Sequence, residues 1–166
     1  MMRIVDNFLP HEEYQLIHDS ICYCDSFPWY FSPGVSEALD GNVKSKDGNY
    51  FYHLIYIEHR PNGRYYDLIQ PIIKKINPHA ISRIKANFYP TTEKIIHHGW
   101  HQDAPFSHGG FIYYLNTNNG KTIFSTGEEV DSIANRALFF DPSVHHKSTT
   151  CSDDNAGRYN ININYY

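Results

Sequence analysis

The last stretch of the chain, Arg158-Tyr159-Asn160-Ile161-Asn162-Ile163-Asn164-Tyr165, alternates polar and apolar residues without a break. A helix would scatter these side chains around its circumference, whereas a strand sends Arg158, Asn160, Asn162 and Asn164 to one face and Tyr159, Ile161, Ile163 and Tyr165 to the other. A second run, Ile81 to Tyr89, does the same: Ser82, Ile84, Ala86 and Phe88 oppose Arg83, Lys85, Asn87 and Tyr89. One half-polar strand can simply be solvated. Two on one molecule favour a shared polar cavity, as in the mouth of a small barrel.

The remainder fits an all-β frame. Phe111 to Leu115, Thr122 to Ser125, Val130 to Ile133 and Ala137 to Asp141 have strand composition, with turns at Asn116 to Gly120, Thr126-Gly127 and Asn135-Arg136. Short strands at this spacing predict an antiparallel sandwich or jelly roll. An aromatic fraction of 16% against 19% charged residues suits such a core better than a helical bundle. In the first half, Ile4 to Leu9 is a short strand or lead-in, and Pro10 with Glu12 and Glu13 opens a helix to about Ile21. Phe27 to Phe31 and Tyr50 to Ile57 read as strands, separated by a long loop from Ser32 to Gly48. A second helix runs from about Tyr65 to Ile76, with Pro71 marking a late start or a kink. At 166 residues the chain is expected to form one domain over 1–166, burying about two thirds of its unfolded surface.

The residues that carry chemistry gather after Gly99. His101-Gln102-Asp103 sets an imidazole and a carboxylate two positions apart, pointing the same way on a strand or its exit. One further His would complete a 2-His-1-carboxylate face around a divalent metal. His145 and His146 both follow the apolar Ala137 to Phe140 run and face opposite sides, so spacing alone leaves either as the third ligand. His97 and His101 have the i, i+4 spacing of helical zinc ligands, but Gly99 opposes a helix and no H-E-x-x-H glutamate is present. His97 and His98 are read as partly exposed or supporting residues. His11, His18, His53, His59, His79 and His108 take surface or packing roles.

The order H-x-D, a distal His and then Arg158 resembles the Fe(II)- and 2-oxoglutarate-dependent oxygenases, in the prolyl-4-hydroxylase-like branch found in phages and bacteria. The resemblance runs through Ile84 to Pro90, His98 to Asp103, Ile112 to Phe124, Asn135 to Asp141 and His146 to Tyr165. It implies a mainly β fold, the double-stranded β-helix (jelly roll), with two N-terminal-half helices packed on one sheet. It implies His101, Asp103 and His146 as metal ligands, because His146 to Cys151 matches the family pattern of a ligand His shortly before Thr-Thr-Cys. It also implies that Arg158, with Asn160, grips the far carboxylate of 2-oxoglutarate; many relatives have Ser at the place of Asn160. A guanidinium suits that task, since its fork meets a carboxylate through two parallel hydrogen bonds. Tyr89 corresponds to a family tyrosine on the same carboxylate, with Asn87 beside it, and Tyr113 or Thr122 is a further candidate for the cavity.

The implied activity is a dioxygenase that hydroxylates a substrate while converting 2-oxoglutarate and O2 to succinate and CO2. It would use Fe(II), 2-oxoglutarate as co-substrate, and ascorbate or another reductant, with no catalytic residue beyond the metal ligands. Peptidyl proline ranks first as substrate, ahead of another protein residue or a small molecule, with Trp29 to Tyr52 as the contact region. Two rival classes are a cupin-like metal enzyme without 2-oxoglutarate, which has no use for Arg158, and a non-enzymatic viral-type β-sandwich binding module.

A net charge of -4 and the lack of a long Lys or Arg run speak against nucleic acid as a partner. Cys22, Cys24 and Cys151 form an odd set without C-x-x-C and are read as reduced thiols. There is no apolar signal-like run at Met1 to Asp6 and no membrane-length apolar stretch. A cytoplasmic protein is expected, in the host cytoplasm if phage-encoded.

Overall fold

The computed structural model describes residues 2–34 and 48–166. In chain order the elements are β1 (Arg3–Val5), α1 (His11–His18), β2 (Tyr30–Ser32), β3 (Tyr50–Ile57), β4 (Arg60–Pro61), α2 (Tyr65–Leu68), α3 (Gln70–Ile76), β5 (Ile81–Pro90), β6 (Gly109–Tyr114), β7 (Lys121–Phe124), β8 (Glu129–Asp131), β9 (Arg136–Phe140), β10 (His146–Ser148) and β11 (Gly157–Tyr165). The large sheet has the order β1-β9-β6-β11-β5-β3-β2, with β4 paired to β3, and a three-stranded sheet has the order β10-β7-β8. The fold is a mainly β jelly roll with its helices against the large sheet. Most of the loop expected from Ser32 to Gly48 lies outside the described residues.

Strand β11 lies at the centre of the large sheet, between β5 and β6. Its apolar face and that of β5 supply Ile161, Ile163, Ile84 and Ala86 to a core shared with Ile17, Ile21, Ile69 and Ile72 from the helical segments. Fully burying one such side chain is worth roughly 1.5–3 kcal/mol, so this layer fixes which face of β11 turns inward. A slip of one residue would drive Asn160 and Asn162 into it. A second cluster, Ile112, Tyr114, Phe124, Val130, Leu138 and Phe140, contains side chains from both sheets.

The helices depart from the sequence expectation in two places. Pro10 caps the first helix rather than opening it, and the chain widens into a π-helical turn over Asp19–Tyr23, which carries Ile21 into the core beside Ile17. The expected second helix is divided at Ile69, with Pro71 in the first turn of α3. Proline has no N–H to give the carbonyl four residues back, so the helix restarts there instead of continuing.

The strand ends also shift. The β2 strand covers Tyr30–Ser32 rather than Phe27 to Phe31, and Phe27 packs instead against Trp29 and Tyr65. Arg136, expected in a turn, begins β9, while Asn135 before it takes the left-handed conformation with φ 59°. Asparagine tolerates that conformation better than most residues.

Candidate functional site

Pairing of β5 with β11 turns two sequence patterns into one polar surface. Tyr89 lies opposite Arg158, Asn87 opposite Asn160, Lys85 opposite Asn162 and Arg83 opposite Asn164. Together with His101, Asp103, Ile112, Thr122, His146, Lys147 and Ser148, residues of this ladder line one cavity. The three-stranded sheet contributes its other wall through Thr122 on β7 and His146 to Ser148 on β10.

The histidine–aspartate segment is held along β10 by main-chain hydrogen bonds. His98 N donates to Ser148 O at 3.0 Å, His101 and His146 exchange N–H···O bonds of 3.0 and 2.9 Å, and Asp103 N donates to Pro142 O at 3.0 Å. The histidines therefore face one another, with ring centroids 4.5 Å apart. One donor atom each from His101, Asp103 and His146 falls within 4.8 Å of the others.

This donor set fits a divalent cation. The Nδ1 of His146 lies 2.9 Å from the Val144 carbonyl and that of His101 lies 3.4 Å from Gly99 O. A carbonyl only accepts, so the proton belongs on Nδ1 and the Nε2 lone pairs are left for a metal. Asp103 Oδ1 meets Arg83 Nη2 at 3.3 Å, whereas its Oδ2 is buried with no hydrogen-bond partner among the described residues. Burial raises the Asp103 pKa, but Arg83 and the two imidazoles outweigh it, and the group stays below its ordinary value. Burial, reinforced by the neighbouring His146 ring, lowers the His101 pKa to about 4. Both groups are thus in the ionisation state that metal binding requires at neutral pH.

Arg158 occupies the opposite end of the ladder and is 1% exposed. Its Nε donates to Ser132 Oγ at 2.6 Å and its Nη2 to Thr122 Oγ1 at 2.9 Å. The guanidinium carbon lies 5.4 Å from the Tyr89 ring centroid and 5.6 Å from that of Tyr114. Its Nη1 is buried without a partner, and no carboxylate pairs with Arg158 among the described residues. A buried guanidinium with an open donor is a fitting seat for a ligand carboxylate. Asn87 Nδ2 donates to Asn160 Oδ1 at 2.9 Å, so these amides are engaged with each other.

Several residues weighed from sequence fall elsewhere. His145 is outside the cluster, and its carbonyl accepts from Ser125 N at 2.9 Å. Tyr113 packs in the core on the helical side, its hydroxyl donating to Asn135 Oδ1 at 2.6 Å. Thr122 is the one of that pair to reach the cavity. Trp29, placed by sequence near the substrate, packs on Phe88 and Tyr159 across the sheet from the cavity. Tyr50 is on the cavity side, stacked on Tyr89 at 5.5 Å.

His97 is exposed, but His98 is buried and stacks on Tyr89 at 5.2 Å, with Nδ1 2.7 Å from Ser148 Oγ. Sequence reasoning did not single out Arg83 as the Asp103 partner, nor Ser132 as an Arg158 anchor. The signal for Arg83 was its place on the polar face of β5; no local pattern marks Ser132.

No protein-family model matches the chain, and no curated protein sequence does. Solved structures do match in fold. A prolyl hydroxylase from Trichoplax adhaerens, in complex with a hypoxia inducible factor oxygen degradation domain peptide fragment, superposes with a TM-score of 0.69 at 15% identity, covering 99% of this chain and 83% of that one. An oxidoreductase of the 2OG-Fe(II) oxygenase family from Burkholderia pseudomallei gives 0.69 at 11% identity, covering 99% and 84%. A Pseudomonas putida prolyl-4-hydroxylase gives 0.63 at 12% identity, covering 99% and 91%. The chain has the fold of the 2OG-Fe(II) oxygenases, including prolyl hydroxylases.

Proposed function

We propose that this chain is an Fe(II)- and 2-oxoglutarate-dependent dioxygenase that hydroxylates its substrate, with peptidyl proline as the first-ranked target. One observation carries the reading. A single cavity holds a His-Asp-His cluster with converging donor atoms and, on the same two strands that floor it, a buried arginine with an open donor. A metal enzyme without an acidic co-substrate would have no need of that arginine.

In this reading His101, Asp103 and His146 would hold iron, each through one donor atom. Arg158 binds the far carboxylate of 2-oxoglutarate through its fork, and Ser132 and Thr122 keep that fork aimed. Tyr89, opposite Arg158, closes that end of the pocket, while Asn87 and Asn160 form its floor. When bound, iron and 2-oxoglutarate supply activation of O2, oxidative decarboxylation to succinate and CO2, and oxygen transfer to the substrate. The protein's residues position these groups and restrict water; none is asked to act as a general base. The Trichoplax and Pseudomonas prolyl hydroxylases support a proline target by fold.

The test is an anaerobic titration of purified protein with iron(II), then 2-oxoglutarate, followed by the visible charge-transfer band of an iron-chelated keto acid, with Arg158→Ala in parallel. The expected result is a band that requires iron and weakens in the variant. Iron binding without the band would favour the cupin-like class. No iron binding would leave the binding-module class.

A further inference from the structure

The cavity contains more positive charge than the proposed iron and 2-oxoglutarate use. Arg83, Lys85, Lys147 and Arg158 line it, and Asp103 is its one carboxylate among the described residues. Arg83 is paired with Asp103, and Lys147 Nζ is held over the Trp100 ring at 4.5 Å from the centroid. Arg158 is assigned to 2-oxoglutarate. Lys85 has neither an ion pair nor a side-chain hydrogen bond among the described residues; its Nζ lies 5.5 Å from the Tyr50 ring centroid.

Lys85 is half-buried, and an ammonium partly withdrawn from water is costly to keep unless an anion meets it. Burial first, and Arg83 second, pull the Lys85 pKa down to about 8, which leaves it mostly charged at neutral pH. Along β5, Lys85 is four residues from Tyr89, about 13 Å at the usual rise per strand residue. Its backbone thus stands between the Arg158 and Arg83 levels of the ladder, and its Nζ reaches the Tyr50 ring, which stacks on Tyr89. Asn162, its cross-strand partner, also lines the cavity and adds an amide donor.

We propose that Lys85 determines specificity: the substrate oxidised at this centre carries a carboxylate that Lys85 binds beside Tyr50 and Asn162, while the Arg158 fork holds 2-oxoglutarate. This rests on the dioxygenase reading. A compact ammonium on a flexible stem suits a single monoanion, whereas a dianion would call for a guanidinium fork or several cations. The carboxylate can belong to a free acid or to an acidic residue of a peptide, since Lys85 meets the same group in both.

The experiment uses protein loaded with Zn(II) and saturated with 2-oxoglutarate, titrated by NMR with matched acid and amide probes: N-acetylproline against N-acetylprolinamide, and N-acetylglycine against N-acetylglycinamide. The acids should bind about tenfold more tightly than the amides. Lys85→Arg should keep that preference and Lys85→Met should abolish it, each holding 2-oxoglutarate within about threefold of the parent. Equal binding of acid and amide overturns the proposal, as does a preference that survives in Lys85→Met. A large loss of 2-oxoglutarate affinity in Lys85→Met also overturns it, because Lys85 would then serve the co-substrate. Failure of the parent protein to bind 2-oxoglutarate would instead remove the dioxygenase reading, and the acid–amide contrast in Zn(II)-only protein would still decide the role of Lys85.

Discussion

Asn87 donates its side-chain N–H to Asn160 Oδ1 at 2.9 Å across the β5–β11 ladder, and both residues are buried. The pair ties the floor of the cavity together one step along the polar face from the Tyr89–Arg158 pair. Asn160→Leu removes the acceptor and leaves the Asn87 amide without that partner, which should cost about 1–3 kcal/mol in urea denaturation. Replacing both with Leu should cost less than the sum of the single changes, because neither donor nor acceptor is then stranded. Additive losses would show that the bond contributes nothing of its own.

Adjacent histidines separate metal binding from general disruption of β10. His146 opens that strand and faces His101, while His145 is outside the cluster. His146→Ala should reduce iron bound per chain by at least about tenfold at limiting metal, the scale seen when the ligand shell of a metal site is damaged. His145→Ala should leave the stoichiometry near that of the parent. Elemental analysis after desalting decides it, and the reverse pattern would transfer the ligand role to His145.

The polar cavity was legible because strand alternation is local: Arg158, Asn160 and Asn162 share a face whatever β11 pairs with. The approach of His101 to His146 was legible only as an order of residues along the chain. Their facing geometry depends on the main-chain bonds between the 96–103 segment and β10. Tyr113 and Trp29 were harder still, since a short strand or an irregular segment does not announce which face meets the core. Tyr113 shares the core face of β6 with Phe111, opposite Ile112 on the cavity face, and its hydroxyl donates to Asn135. Lys85 and Arg83 appeared only as members of a polar face, because what separates them, an ion pair to Asp103 for Arg83 and none for Lys85 among the described residues, depends on a distant segment.

His98 supplies a pH test for the metal-free protein. Burial first, then the Arg158 guanidinium and, less, the neighbouring imidazoles, lower its pKa from 6.5 to about 3. Above the ordinary histidine value the imidazole is neutral in both folded and unfolded chains. As pH falls from about 6.5 toward 3, the unfolded chain takes up a proton that the folded one refuses, so stability is lost across that window. His98→Asn should therefore lose less melting temperature than the parent between pH 7 and pH 5. Identical losses would mean that His98 is not kept neutral by its buried site against Tyr89.

Gly120 tests how closely Arg158 is aimed. A Cβ on Gly120 would lie 2.8 Å from Arg158 Cδ and 2.8 Å from the Thr150 carbonyl oxygen, closer than real contacts allow. The guanidinium is anchored by Ser132 and Thr122, and a main-chain oxygen cannot swing aside, so Gly120→Ala has to displace one or the other. Overpacking of this kind costs about 1–3 kcal/mol, and a displaced fork should weaken 2-oxoglutarate binding by about tenfold as well. Gly127 is the control: its φ of 102° strains any alanine there, but nothing lies within 4 Å of the added carbon. Gly127→Ala should thus lower stability by about 1 kcal/mol and leave 2-oxoglutarate affinity unchanged. Calorimetric titration of both variants separates aim from stability, and equal affinities in the two would show that Arg158 tolerates a shift of its stem.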